Sequence, residues 1–224
     1  IQNIHSFPYL NFRSRCVASA LRPMPKQVRA QDGPDALRQN SLADLPIPVL
    51  CADLAQPGAA SDLFDRAIAA VGSIDVVVNN AGIAPEADID ASDQEWADAW
   101  HVTMQVNLFS LADICRKSIA HFIPKGEGTI INIASRAATR GDEPNMMHYA
   151  ASKGAVVALT RSIARGYGKD GIVAHTVNPG WVSTEMAEGF FAANPDALDG
   201  FPLGEAVPPS EVANTVAFLA SGLA

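Results

Sequence analysis

The sequence predicts one α/β domain, a doubly wound parallel sheet in three αβα layers, and three observations carry that expectation. From Pro48 onward, short apolar runs alternate with longer amphipathic segments, the order that puts helices on both faces of a parallel sheet. One of those runs, Thr129-Ile130-Ile131-Asn132-Ile133-Ala134, is continuous rather than alternating, as a strand buried on both faces requires. The 224 residues, 48% hydrophobic and 18% charged, are enough for a sizeable core. No internal repeat, low-complexity tract or linker divides the chain, so residues 1–224 read as one unit.

In order, the elements expected are a strand over 48–51, a helix over 59–71, a strand over 75–78 and a helix over 92–122. A strand over 128–134, a helix over 148–167, a strand over 172–177 and a helix over 210–219 follow. Between the last two lies 185–207, rich in Pro, Gly and Ala, with Met186, Phe190, Phe191 and Phe201. It reads as an apolar lid over a substrate or as a plain surface excursion.

Charge and cysteine content narrow the class. The net charge is −8, yet residues 1–32 carry five basic groups and one acid, whereas 33–224 carry 11 basic and 23 acidic groups. An acidic body argues against nucleic acid as a partner. The basic start (Arg13, Arg15, Arg22, Lys26 and Arg29, with Ser6, Ser14 and Ser19) looks superficially like a transit peptide, but the fold needs its first strands from that region. Cys16, Cys51 and Cys115 form no Cys-x-x-Cys pair, which points to a reducing, cytoplasmic setting. The five histidines lack metal-ligand spacing, so no metal is expected. No apolar run approaches the ~20 residues of a membrane span.

The chemistry centres on Tyr149 and Lys153, four apart on a helix and therefore on one face. A cation beside a phenol favours the phenolate, lowering its pKa toward neutrality. Alone, the pair occurs on many solvated helix faces. Its company matters more: Ser135 closes the buried strand over 129–134, Asn107 lies in a helical segment, and Asn79-Asn80-Ala81-Gly82 follows Ile74-Asp75-Val76-Val77-Val78. Downstream, Val173-Ala174-His175-Thr176-Val177 leads into Asn178-Pro179-Gly180-Trp181-Val182-Ser183-Thr184. By these motifs in this order the chain resembles the short-chain dehydrogenase/reductase family, and especially its 3-oxoacyl-ACP reductase-like members. The resemblance covers about Pro48 to Leu219.

The resemblance implies a Rossmann-type, NAD(P)-binding domain that interconverts a secondary alcohol and a ketone. It makes Tyr149 the general acid or base, and gives Lys153 both the stabilisation of tyrosinate and the nicotinamide ribose. It makes Ser135 the holder of the substrate oxygen. Asn107 would complete a proton relay, on a helix distorted at that point. Asp53 and Leu54 would contact adenine, although Asp53 could simply end a strand. Asn80, Ala81 and Gly82 would pass under the adenosine ribose, unless they are only a turn. Val182 and Thr184 would hold the carboxamide, with Pro179 and Gly180 behind the ring. Asp32, at the expected end of a second strand, favours NAD over NADP by accepting from a ribose hydroxyl, while Arg29 argues the other way.

The start of the chain departs from the pattern. The family places a glycine-rich turn after its first strand, and here no glycine precedes Gly33. Counting back from Asp53 puts the first strand at 1–6, the first helix at 15–22, the second strand at 26–32, and Pro8, Phe12 and Ser14 where glycines belong. Proline lacks a donor and phenylalanine fills the space a pyrophosphate would occupy. A fragment, a frame-shifted stretch, or a non-catalytic relative with impaired dinucleotide binding would each account for this. Ile1 in place of Met also suggests a fragment, and an end at Ala224 before the usual last edge strand implies either a truncation or a partner subunit covering that edge. The helices over 93–122 and 148–167 lie where relatives pack into homodimers or homotetramers, and Trp96 and Trp100 make an apolar stripe that fits either such an interface or the core. The substrate is left open, since reductases of 3-oxoacyl thioesters and dehydrogenases of sugars, polyols and steroids share these motifs.

Overall fold

A computed structural model describes residues 16–19, 48–184, 187, 190–192, 194, 196–199 and 203–224. Its centre is a four-stranded, wholly parallel sheet of β1 (Cys16–Ser19), β2 (Val76–Asn79), β3 (Gly128–Ile133) and β4 (Ile172–Val177), in that order. Val76 pairs with Cys16 on one side and Thr129 on the other, and Ile133 pairs with Val177. Because successive right-handed crossovers run in one direction along the sheet, their helices collect on one face. These are α1 (Ala59–Val71), α2 (Asp93–Met104), α3 (Ser110–Phe122) and α5 (Met147–Tyr167), with the single turn α4 (Ala137–Arg140) leading into α5. The opposite face receives α6 (Pro209–Ala220), whose Val216 packs with Val76, Val78, Ile131 and Ile133.

Local sequence explains the boundaries. In α1, Ala60, Phe64 and Ala67 recur at helical spacing and are buried, and Gly72, at φ 80°, closes the helix with its N–H on the Ile68 carbonyl. α2 begins at a capping box, in which the Ser92 hydroxyl accepts from the Glu95 N–H and the Glu95 carboxylate accepts from the Ser92 N–H. The Ser92 hydroxyl, which also donates to that carboxylate, and the Ser92 N–H hold the Glu95 carboxyl below its usual range. The larger core, on the α5 face, joins Phe64, Ile74, Val77, Ile114, Phe122, Ile130, Val156 and Ile172.

Polar groups in the middle of the sheet are paired off. The neighbouring strand residues Asn79 and Asn132 are fully buried, and Asn79 Nδ2 donates to Asn132 Oδ1 at 2.8 Å. Asn132 Nδ2 donates to Thr160 Oγ1 at 2.9 Å, and Thr160 Oγ1 donates to the Val156 carbonyl. Paired in this way, amides can be buried without the cost of an orphaned donor. Cys115 lies beside them, its thiol pushed up to about 12 by burial, so it is an inert packing residue.

Two sequence expectations need correction. The stretch 15–22, expected to be helical, contains β1, which pairs with β2 at one end of the described strand order. Counting back from Asp53 assumed ordinary connection lengths and slipped by a whole element. Residues 48–51, expected to be a strand, have no ladder partner among the described residues. The expected strands over 1–6 and 26–32, with Pro8, Phe12 and Ser14, lie outside the described residues. The other elements fall within one or two residues of expectation.

Candidate active site

The C-terminal ends of β2 and β3 open toward the start of α5, and there the fold gathers Asn107, Ser135, Tyr149 and Lys153. Asn107 stands on a π-helical turn, Gln105–Phe109, that interrupts the run from α2 to α3. The Ser110 N–H bonds to the Gln105 carbonyl, one residue farther back than an α-helix allows. Val106 thereby loses its regular donor, and its carbonyl accepts from the Ser110 hydroxyl at 2.7 Å.

The turn aims a wholly buried Asn107 side chain at the loop after β2. Its Oδ1 accepts from the Ile83 N–H at 2.8 Å, and its Nδ2 donates to the Ile83 carbonyl at 2.9 Å and to Ser152 Oγ at 3.1 Å. Ser152 Oγ in turn donates to the Tyr149 carbonyl at 2.7 Å. One amide therefore fixes the Asn79–Gly82 loop against the first turns of α5. Gly82 fits tightly at this seam: a Cβ there would lie 3.2 Å from Lys153 Nζ and 3.4 Å from Asn107 Oδ1, so both side chains would have to give by a few tenths of an ångström. His148 adds a second tie, its Nε2 2.7 Å from the Pro85 carbonyl.

Lys153 is buried, and Nζ donates to the Ile133 carbonyl at 3.0 Å, with the Tyr149 ring centroid 5.7 Å away. Burial lowers its pKa from 10.5 to about 8. The Tyr149 phenol does not show the expected decrease. Burial pushes it up, ahead of the Ser135 hydrogen bond that pulls it down, and the charge of Asp142 raises it further. Lys153 releases its own proton from about 8, before the phenol ionises, and so gives it no counter-charge against the desolvation. Ser135 Oγ accepts from the Ala137 N–H at 3.1 Å, which orients its hydroxyl.

The lowered lysine makes stability depend on pH. An unfolded chain keeps the Lys153 proton up to its ordinary 10.5, whereas the folded chain releases it from about 8. The folded state thus gains stability as pH rises through this window and loses it as pH falls through about 8. Cys115, raised from 9.0, and Tyr149, raised from 10.0, act in the opposite sense toward higher pH, so the lysine's gain leads between pH 8 and 9. Urea midpoints should rise between those two values in the native chain and not in Lys153→Met. Parallel behaviour would show that the lysine is not the source.

The remaining expected residues are less concentrated. Leu54 is part of the core, and its carbonyl accepts from Gln105 Nε2. The exposed Asp53 carboxylate is engaged locally by the Ala55 N–H at 3.0 Å. Asn80 is exposed and Ala81 buried. The Pro179 carbonyl accepts from the Arg136 N–H at 2.9 Å, tying the Pro179–Gly180 turn to the residue after Ser135. Val182 bridges to Val207, and Thr184 is exposed. Asp32 lies outside the described residues. Among the described residues, no three His, Cys, Asp or Glu side chains are grouped to hold a metal ion.

Residues 16–224 match the family model described as enoyl-(acyl carrier protein) reductase. The chain belongs to the short-chain dehydrogenase/reductase family. This is a family of NAD(P)-dependent oxidoreductases with a Rossmann-type fold. Among its members, the chain is 35% identical to a cis-4-hydroxycyclohexanecarboxylate dehydrogenase of Sinomonas cyclohexanicum, over 77% of this chain and 68% of that one. It is 32% identical to the 3-oxoacyl-acyl-carrier-protein reductase FabG of Chlamydia muridarum, over 75% of this chain and 67% of that one. A crystal structure of a gluconate 5-dehydrogenase from Burkholderia cenocepacia, in complex with NADP and tartrate, superposes with a TM-score of 0.68 at 35% identity. That match covers 75% of this chain and 65% of the other, so the chain spans just under two thirds of that dehydrogenase.

Within the short-chain dehydrogenase/reductase pattern, sequence reading passed over Ser152, although it lies inside the Tyr149–Lys153 run and holds both Asn107 and the Tyr149 backbone. It also passed over Arg136 and gave Trp181 no role. Their relation is spatial, and no spacing rule exposes it.

Proposed function

We propose that the chain interconverts a secondary alcohol and a ketone with NAD(P), using Tyr149 as general acid and base. The observation that carries this reading is the convergence of four sequence-distant groups at one strand-end crevice, with Lys153 buried between Gly82, the Ile133 carbonyl and the Tyr149 ring. Such crevices are where open parallel sheets bind ligands.

The bound dinucleotide would supply or accept the hydride. Lys153, Asn80, Ala81 and Gly82 are suited to its ribose groups, Pro179, Gly180, Val182 and Thr184 to its nicotinamide end, and Asp53, Leu54 and Asp32 to its adenosine end. The close approach at Gly82, where a Cβ would crowd Lys153 Nζ, fits that assignment. In reduction, Ser135 donates to the ketone oxygen and Tyr149 delivers the proton to it; in oxidation, the phenolate takes that proton back. The Lys153 ammonium steadies the phenolate while it exists. Asn107 holds the loop and the helix in register, and its neighbourhood is the route by which the proton is replaced. The named relatives act on different compounds, so the reading stops at the reaction class.

A second reading, a non-catalytic relative with impaired dinucleotide binding, is favoured by one observation. β1 ends at Ser19 beside the central strand, and the first glycine of the chain is Gly33. Without glycines after β1, fewer backbone N–H groups could approach a pyrophosphate closely.

Titration of the purified chain with NADH and NADPH, followed by nicotinamide fluorescence, separates the two readings. Saturable binding of either form, with turnover of a ketone panel, is the expected result. A folded chain that binds neither at millimolar cofactor would establish the non-catalytic reading.

A further inference from the structure

Among the described residues, two buried side-chain atoms have no hydrogen-bond partner, Trp100 Nε1 and Thr103 Oγ1. Both belong to α2, at a spacing that puts them on one face of the helix. That face is turned toward α5. The Trp100 ring lies 5.9 Å from the His148 ring, and Asn107, one turn beyond Thr103, donates to Ser152 Oγ at 3.1 Å. Thr103 stands between these two contacts and is wholly buried.

A threonine inside a helix can satisfy its own hydroxyl by turning it back onto the carbonyl four residues earlier. Other buried hydroxyls of the chain do this: Ser110 on Val106, Ser118 on Ile114 and Thr160 on Val156, each at 2.7 Å. Thr103 does not. The polar groups of α5 at this seam are already engaged, His148 Nε2 with the Pro85 carbonyl and the Ser152 proton with the Tyr149 carbonyl. An indole N–H only donates, whereas a hydroxyl both donates and accepts, so whatever joins the two must accept from the first and bond the second. It must also be small, since Thr103 has no exposed surface. Water meets both conditions, and it removes the cost of leaving two polar groups dry.

We propose that the seam between α2 and α5 holds one built-in water molecule, which accepts from Trp100 Nε1 and is bonded to the Thr103 hydroxyl. It is a structural water that fastens the two helices where their contact is otherwise made by rings. The inference does not rest on the function proposed above and would hold equally for a chain that binds no dinucleotide.

A crystal structure of the native chain, at a resolution that shows ordered water, should place one within about 3.2 Å of both atoms. Two dry atoms, or a protein group bonded to either, would overturn the inference. Urea denaturation tests it in solution. Thr103→Val removes the hydroxyl at nearly constant shape, and with the water held there the midpoint should fall by about half a molar or more. A hydroxyl without a partner predicts the opposite, a midpoint that rises or stays, and that result also defeats the proposal. Trp100→Phe, made in the native and the Thr103→Val backgrounds, reads whether the two atoms share the water. Its cost should be smaller in the second background, where the water has already lost one partner, and strict additivity would show that nothing is shared. Circular dichroism confirms that each variant is folded, and if Trp100→Phe is not, the crystal structure and Thr103→Val decide the matter.

Discussion

Tyr149→Phe lowers turnover by about a hundred- to ten-thousandfold, the usual contribution of a positioned proton donor, and leaves cofactor affinity unchanged. The substitution removes one oxygen and nothing else from the packing. The ring still sits 5.7 Å from Lys153 Nζ, and the backbone carbonyl of residue 149 still accepts from Ser152 Oγ. Ser135 keeps its Ala137 N–H bond, so the substrate oxygen is still received. What is missing is the proton, with the hydroxyl's hydrogen bond to Ser135. Stopped-flow measurement of NADPH oxidation alongside nicotinamide fluorescence separates the two effects. Turnover that persists in Tyr149→Phe would assign the proton to another group and sink the proposed mechanism. A matching loss of cofactor binding would make Tyr149 a packing residue.

The second large effect concerns the base of the sheet. Phe122, at the end of α3, is fully buried, and Phe122→Ala should cost about 3–5 kcal/mol. That is a large share of the about 5–15 kcal/mol that holds a typical domain together. Gly128 begins β3 directly against this ring, and a Cβ there would overlap the ring carbons. Gly128→Ala alone should therefore cost about 1–3 kcal/mol through overpacking. In the double variant the new methyl enters space the ring has vacated, so the combined loss should fall short of the sum by about 1 kcal/mol or more. Urea denaturation of the four proteins completes the cycle. Strict additivity would show that the ring and the glycine do not share that space in solution.

Much of this was legible in the sequence, for particular reasons. Ala59–Val71 and Ile172–Val177 have bounds matching expectation to the residue, because glycines and clean periodicity mark their ends. The four residues proposed for the active site could be picked out because their motifs are local, while their convergence follows from parallel strands presenting their C-terminal ends to one crevice. The π turn was foreseen only through family resemblance, since nothing in Gln105-Val106-Asn107-Leu108-Phe109 signals a widened helix. β1 was misread because Cys16-Val17-Ala18-Ser19 is too short to carry a period and no glycine follows it as punctuation. The Tyr149 pKa was misjudged because burial, which outweighs the lysine, is a property of the assembled fold.

The π turn has a consequence for how insertions and deletions are tolerated. One extra residue in a helical turn advances everything beyond it by about 100° of rotation. Residues 93–122 are thus two cylinders on a common axis whose angular phases differ by that offset. The first phase turns Trp100 toward His148, and the second turns Ile114 and Phe122 into the core. Deleting one residue of 105–109 would remove the residue that the π turn absorbs, leaving a regular α-helix with both segments still facing as they do. Trp100 and Phe122 would keep their seats, and the loss would fall on Asn107 and its aim at Ile83.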